Sequence, residues 1–459
     1  MTKANLQFLL AISSLAVALF ATARAQQSPA APKQDDNQLS DSSQAIQGTN
    51  NADKYDPDDR PLSGAEDLSL GTLETSKNVL NSSIRVDQRI DGGPRTAGNG
   101  YAWTGQSDVF GTLSLNRTWK RNSFVAEYDG GDIFYAGLYN QNTQNFSFSQ
   151  HLTWHRWSLI LSDQMTYSPE SPFGMPGPLP TSINFLGTKL TFLPNQTIFT
   201  GQSSRVSNSG IGQLEYAFSR RSSFTVIGSY SLLRYTATSV ADNSQAGTTV
   251  GYNYALTPRD KIAVTYGYQQ LQFNYLNSKM EINTANLNYA HQVLGRMSLQ
   301  IGAGAQLTKR FNPFSHADTS VSPDGSVVLS SAWRRTQLSL SASKSILSGA
   351  GLSVATNTTA AGISASRTLS RHWSGSVSGG YAENSVIGAV SGSGDKFRSG
   401  FAGVSLQRTL GRRAGISFLY NVQKQVGSEL CNASICGGAF LRHSIGIGLN
   451  WNFKPILFQ

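Results

Sequence analysis

Apolar and polar residues alternate with a period of two over most of this 459-residue chain, from about residue 105 onward. Ile262, Val264, Tyr266 and Tyr268 alternate with smaller or more polar residues, and a similar pattern runs from Ser444 to Phe453. Because successive side chains of a β-strand point to opposite faces, the pattern predicts strands with one apolar face and one small, polar face. We therefore expect this region to be all-β.

Short turns that carry arginine separate these strands. Consecutive turns lie about 38 residues apart, which accommodates two strands, one short turn and one long loop. One interval is longer because it contains the proline-rich segment 168–204, the candidate for a loop that folds into the interior. Long loops are also expected at 311–326 and 382–396. The arginines that mark the turns are Arg121, Arg156, Arg220, Arg259, Arg296, Arg335, Arg371 and Arg412.

The repeats also give a strand count. Eight hairpins supply about 16 strands between residues 105 and 421, and residues 442–453 form one more. An even closure requires a further strand, for which Val79–Val86 is the best candidate despite its weak alternation. The expected total is about 18, with about 16 as the alternative, and a closed barrel of either size encloses a lumen.

The first residues differ from the rest. Residues 1–25 combine Lys3, an apolar stretch and an Ala-Arg-Ala site, which is typical of a secretory signal peptide cleaved between Ala25 and Gln26. Residues 26–70 are polar and acidic without apolar periodicity, which predicts a disordered periplasmic arm. This arm is either a solvated spacer or a docking element for a periplasmic protein. Residues 71–459 are assigned to the barrel.

Composition and tryptophan positions favour a membrane barrel. Charged residues are only 14% of the chain, and no stretch after the first 25 residues is apolar enough for a membrane helix. A sheet that crosses lipid must close, because open edges leave backbone groups unsatisfied. The expected fold is a transmembrane antiparallel up-and-down β-barrel, with a soluble sandwich or propeller as the alternative. The expected interface aromatics, which lie beside short turns or at the last strand end, are Trp119, Trp157, Trp333, Trp373 and Trp451.

With its signal peptide, repeating hairpins and final strand, the chain resembles bacterial outer-membrane porin-like barrels. One departure is that the chain continues beyond Phe453 to Gln459, so either Phe453 or Phe458 serves as the terminal aromatic residue. The resemblance implies residence in the bacterial outer membrane, contact with its lipid and a channel function. An oligomer is compatible with this fold class, but no sequence feature identifies an interface.

The expected inner face indicates which solutes would pass. It is rich in Ser, Thr, Gly, Asn and Gln, and Glu127, Asp129 and Glu215 are its expected channel-lining acids. Such a hydrated, nearly neutral wall favours diffusion of small hydrophilic solutes, with neutral oligosaccharides as one candidate class. The alternative is a barrel component of polysaccharide export or envelope assembly that docks partners through residues 26–70.

Other chemistry has little support in the sequence. Cys431 and Cys436 lie five residues apart in one loop of an exported chain, which favours a local disulfide over a metal site. The six histidines form no catalytic motif, so an enzyme is not expected, and a surface enzyme or adhesin is the weakest hypothesis. No cofactor is expected. Nucleic acid is not an expected partner, because the basic residues behind the +10 net charge are spread over the turns.

Overall fold

The computed structural model describes residues 78–94, 101–135, 140–168, 183–185, 188–190, 204–236, 242–273, 278–293, 296–312, 315–349, 353–387, 396–411, 413–427 and 440–458. The strands are β1 (Val79–Pro94), β2 (Tyr101–Trp119), β3 (Asn122–Tyr135), β4 (Gln141–Thr153), β5 (Trp157–Ser168), β6 (Ile183–Phe185), β7 (Thr188–Leu190), β8 (Arg205–Ala217), β9 (Ser222–Tyr235), β10 (Asn243–Ala255), β11 (Asp260–Phe273), β12 (Ser278–Val293), β13 (Met297–Asn312), β14 (Ser315–Trp333), β15 (Thr336–Gly349), β16 (Ser353–Thr368), β17 (Trp373–Val386), β18 (Lys396–Leu410), β19 (Ala414–Val426), β20 (Phe440–Asn452) and β21 (Ile456–Leu457). Within these ranges no helix is long and apolar enough to cross a bilayer.

Eighteen of these strands, β1–β5 and β8–β20, form one closed antiparallel barrel. Each pairs with its neighbour along the chain, and β20 pairs with β1, so that His443 lies opposite Gly92 at one end of the seam and Asn452 opposite Ser83 at the other. The expectation of 18 strands is confirmed. The first strand is also where the sequence predicted it, although it extends to Pro94. Strands β6 and β7 form a separate hairpin, and β21 pairs with the start of β1.

The barrel exposes its apolar side chains and buries its polar ones. On β20, Ile445, Ile447 and Leu449 are exposed, while on β1 Asp87 and Asp91 on the other face are buried. This is the reverse of the arrangement in a soluble domain. It suits a lipid environment because the wall presents an apolar surface and leaves no backbone edge over the span in which all eighteen strands pair. The chain is therefore an outer-membrane β-barrel, and the soluble sandwich and propeller alternatives are wrong.

The five tryptophans expected at a membrane interface all lie at the short-turn end of the barrel. Trp119, Trp333 and Trp451 are exposed on the outer face. Arginine side chains stack on two members of the set, with the Arg117 guanidinium 4.7 Å from the Trp119 ring centre. Contact with the lipid headgroups at this level stays a prediction.

One expected loop is a hairpin of two long strands instead. The region 311–326 is mostly strand, because β13 continues to Asn312 and β14 begins at Ser315. The turn-like sequence from Ser322 to Gly325 lies inside β14 and pairs with β13. Pro323 is tolerated there because this part of β14 has no pairing partner in β15, so it is an edge strand in which a missing N–H costs little.

Several expectations fall outside the described residues. These are the signal peptide with its cleavage site at Ala25 and Gln26, the arm at 26–70, the disulfide between Cys431 and Cys436, and most of the segment 168–204.

Candidate functional site: the inner wall of the barrel

The first strand contributes a row of charges to the inner wall. Arg85, Asp87, Arg89 and Asp91 alternate along β1 with residues of the outer face, of which Val86 is exposed. The neighbouring strands add one acid and one base to the same wall. We call the whole set the charged ladder, and its members are Arg85, Asp87, Arg89, Asp91, Asp108 and Arg442.

Ion pairs connect the ladder from strand to strand. Arg85 Nε lies 2.9 Å from Asp87 Oδ2, and Arg89 Nη2 lies 3.1 Å from the same oxygen. Arg89 also reaches β2, where its Nε lies 3.1 Å from Asp108 Oδ2. Asp108 is only 1% exposed, and the Gln106 side-chain amide donates to its other oxygen at 2.6 Å. Because these charges are largely desolvated, each depends on its partners.

The ladder also closes the barrel seam. Arg442 on β20 donates to Asp91 on β1 at 2.6 Å, and so joins the last strand to the first. Glycines on β20 make room for the ladder: a Cβ at Gly448 would overlap the Asp87 carboxylate, and one at Gly446 would lie 2.9 Å from Arg89 Cγ.

The three acids expected to line the lumen all belong to the inner face by register. Glu127 lies opposite Ser114 on β2 and Ser147 on β4, and Asp129 lies opposite Thr112 and Asn145. Both acids lie on β3, two strands from β1, so they extend the charged sector. Glu215 lies on β8, opposite Ser158, away from that sector. Their part in selectivity stays a prediction.

This sector carries more charged groups than the sequence predicted, although the three arginines and three aspartates of the charged ladder sum to zero net charge. The missed signal is the run from Arg85 to Asp91, in which a charged residue occupies every second position. The predicted strand Val79–Val86 includes only the beginning of this run, because the apolar residues that indicate a strand alternate weakly there.

A neighbouring sector, separated from β20 by β19, has the small hydroxyl-bearing wall that the sequence predicts. Ser376 on β17 and Ser405 on β18 lie side by side, with their hydroxyl oxygens 2.6 Å apart. We call this surface, on β15–β18, the serine wall. Its serines are Ser339, Ser341, Ser343, Ser374, Ser376, Ser378 and Ser405.

At the long-loop end of the serine wall, β15 separates from β14, while β16 stays paired with β17 as far as Thr356. β15 pairs with β14 only from Thr336 to Lys344, while its last residues, Ser345–Gly349, continue to pair with β16. The backbone N–H of Ile346 donates instead to the side chain of Gln306, 3.0 Å away on the inner face of β13. The outer part of this hairpin therefore crosses the inside of β14. We call residues 345–349 and 353–357 the inward hairpin.

A hydrophobic cluster fixes the inward hairpin to strands β11 and β12. Ile346 and Ala355 pack with four apolar residues of β11 and β12, and Met280 at the centre is 0% exposed. The other members on β11 and β12 are Leu271, Phe273 and Ile282. Each such side chain contributes about 1.5–3 kcal/mol when it is fully buried, so the cluster stabilises the hairpin inside the lumen. The segment for which the sequence predicts an inward fold, 168–204, lies mostly outside the described residues, and no sequence pattern singles out this hairpin.

The structure is similar to solved outer-membrane proteins at low sequence identity. The outer membrane protein OpdK from Pseudomonas aeruginosa is 8% identical, with a TM-score of 0.41 over 82% of this chain and 99% of that chain. OccAB1 from Acinetobacter baumannii is 10% identical, with a TM-score of 0.42 over 83% and 99%. A BenF-like porin from Pseudomonas fluorescens is 11% identical, with a TM-score of 0.40 over 84% and 100%. No protein-family model matches the chain, and no curated protein matches it in sequence.

Proposed function

We propose that this protein is a passive outer-membrane channel for small hydrophilic solutes, without enzymatic activity. The observation that carries the proposal is the inner wall, which combines a serine wall with a charged ladder inside a closed barrel of 18 strands. Hydroxyl, amide and charged groups replace part of the water that a hydrophilic solute loses when it enters a narrow space.

The inward hairpin sets the size limit in this proposal. It occupies the lumen beside β11–β13 and is held there by apolar contacts, so solutes pass through the space that remains. The hydroxyl-rich surface at the base of the hairpin favours solutes with many hydroxyl groups, and neutral oligosaccharides are the candidate class. The alternative export function depends on residues 26–70, which lie outside the described residues.

The test is single-channel conductance of the refolded protein in a planar bilayer, with and without a neutral oligosaccharide. We expect small, stable openings that the sugar reduces. Ile346→Asn should enlarge the openings, because loss of an apolar side chain from a buried cluster costs about 2 kcal/mol or more and raises the released fraction of the hairpin roughly 30-fold.

Ile363→Ala is the matched control, because Ile363 lies on β16 but is exposed on the outer face. A disulfide between the hairpin and β12 gives a second test. Ile346→Cys with Met280→Cys, in a background with both native cysteines changed to Ser, should keep conductance low until a reductant is added. A barrel that is silent in every variant would contradict the channel function. Open channels with equal conductance in wild type and Ile346→Asn would contradict only the role of the hairpin.

A further inference from the structure

The inner wall of β14 carries a carboxylate that has only neutral partners. Asp324 and Ser326 lie on the inner face, because Val327, next to Ser326, is 43% exposed on the outer face. The Asn286 side chain on β12 donates to Asp324 Oδ2 at 2.6 Å, and the Gln306 side chain on β13 donates to Oδ1 at 2.8 Å. Among the described residues, no lysine or arginine forms an ion pair with Asp324. Its negative charge is therefore held by neutral hydrogen-bond donors alone.

Two glycines on β13 let these polar side chains meet. Asn286 and Asp324 lie on the strands to either side of β13, both opposite Gly304. A Cβ at Gly304 would overlap Asn286 Oδ1, so the Asn286 side chain extends over this glycine towards Asp324. The preceding inward residue of β13 is Gly302, which lies opposite Ser326. Two successive inward positions without a side chain thus separate the polar groups of β12 from those of β14.

Buried oxygen atoms without hydrogen-bond partners lie around these glycines. Asn286 Oδ1 and Ser326 Oγ have no partner among the described residues, although the two residues are only 6% and 7% exposed. Gln300, the inward residue of β13 before Gly302, has a third such atom in its Oε1. A buried polar atom without a partner is costly and indicates a water molecule or an ion that completes its bonding.

An unbalanced carboxylate beside such oxygens distinguishes this position from other inner-wall acids. Asp108 also has a buried oxygen without a hydrogen bond, but Arg89 lies 3.1 Å from that oxygen and balances its charge. Asp129 on β3 has one as well, and it interacts with Arg85. At Asp324 the described residues supply no such cation, and a charge taken out of water is costly without one.

We infer that Asp324, Asn286 and Ser326 bind one calcium ion on the inner wall. Carboxylate, amide and hydroxyl oxygens are ligands that hard cations accept, and Ca²⁺ takes six to eight of them in flexible geometry, with water completing the shell. Gln300 Oε1 would accept a hydrogen bond from such a water. A ligand set with one charged member is weak, so we expect a dissociation constant of about 10⁻⁴–10⁻³ M.

Calcium accounts for the site better than water, a solute hydroxyl or magnesium. Water and hydroxyl groups would bond the buried oxygens, but neither balances the charge of Asp324. Mg²⁺ demands near-octahedral geometry and gives up its water reluctantly, so an irregular set of neutral oxygens suits it poorly. The site lies at the root of the inward hairpin, because Gln306 connects Asp324 to the backbone N–H of Ile346.

Titration calorimetry of the refolded protein with CaCl₂, in a zwitterionic detergent, tests the inference. Asp324→Asn should weaken binding about tenfold or more, because it removes the one charged ligand. Ser326→Asp should tighten it about tenfold, because affinity for Ca²⁺ rises with ligand charge. Asp163→Asn is the matched control: Asp163 accepts from Asn208 at 3.0 Å in the same way, but on β5, and its loss should change nothing.

Heat-dependent gel mobility verifies that each variant is a folded barrel. The nine acids of residues 26–70 are the same in every variant, so differences between variants isolate the site. Equal affinity in wild type and Asp324→Asn would overturn the inference. Binding that is lost in Glu127→Gln with Asp129→Asn but kept in Asp324→Asn would also overturn it, by placing the ion on β3. Equal affinity for Mg²⁺ would overturn the assignment to calcium. None of these results depends on whether the barrel conducts.

Discussion

The charged ladder and the serine wall are both polar surfaces of one barrel, yet their strands behave differently. At the ladder, β1 pairs continuously with β2 from Val79 to Pro94, and ion pairs cross the same strands. At the serine wall, β15 separates from β14 beyond Lys344 and its outer end enters the lumen. The wall with long, paired side chains stays in the barrel, whereas the wall with small side chains has an end that leaves it.

The difference shows what a side chain adds to a strand pair whose backbone bonds are already made. The ladder adds charge pairs that lose their partners if the strands separate, and such a loss is expensive for a buried charge. A serine hydroxyl can exchange its partner for water or for another hydroxyl at little cost. The hairpin is therefore free to take the conformation that buries Ile346.

The largest expected effect comes from breaking the ladder. Arg89→Met leaves the buried carboxylates of Asp87 and Asp108 without a shared partner, which should lower the free energy of unfolding by about 3–5 kcal/mol. Urea unfolding in lipid vesicles, followed by tryptophan fluorescence, measures it. Ser341→Ala on the serine wall should change it by less than about 0.5 kcal/mol. Equal losses would remove the distinction between the two walls.

The second-largest difference in unfolding free energy is expected between substitutions of glycines beside the two walls. Gly448→Ala places a methyl group on the Asp87 carboxylate and should cost about 1–3 kcal/mol of unfolding free energy. A Cβ in Gly362→Ala on β16 would lie 3.2 Å from the Ser341 hydroxyl and at ordinary contact distance, 3.8 Å, from the Gly379 carbonyl oxygen, so we expect a change of less than about 1 kcal/mol. The same unfolding assay compares them. A harmless Gly448→Ala would mean that the ladder tolerates displacement.

Ion selectivity should respond to the acids beside the ladder. Replacing both acids, Glu127→Gln with Asp129→Asn, removes two negative charges from the inner wall and should reduce the preference for cations by about twofold or less. The reversal potential in a KCl gradient measures the preference. Ser376→Ala changes no charge and should leave it unaltered. An unchanged potential in the double variant would place the ion path away from β3.

The smallest effect should come from a carboxylate in a short turn. Thr257 donates to Asp260 at 2.5 Å, and with Tyr289 and His291 it lowers the pKa of Asp260 from 3.8 to about 2. A lowered pKa in the folded state means that Asp260 stabilises the fold above about pH 4, and that this contribution is lost as the pH falls through about 2. Wild type should therefore exceed Asp260→Asn in unfolding midpoint at pH 5, and the difference should shrink at pH 2. A constant difference would contradict this.

Much of the architecture could be predicted from residue patterns. Alternation along β11 and β20 and the spacing of the arginine turns are local properties of strands and turns, so the sequence shows them directly. Together with the requirement for an even number of strands, they predict 18 strands. The charged ladder was also within reach, since the run from Arg85 to Asp91 has a period of two. Alternation of apolar residues does not reveal it, because β1 alternates charged residues with an outer face of mixed polarity.

The sequence by itself determined the strand period, the turns and the faces, because neighbouring residues on a β-strand always point to opposite sides. Only the tertiary structure decided which strands meet. Arg442 and Asp91 are 351 residues apart and become partners because the barrel closes. Gln306 binds the backbone of Ile346 because β15 leaves β14. Such contacts depend on closure and register, which the pattern of one strand does not contain.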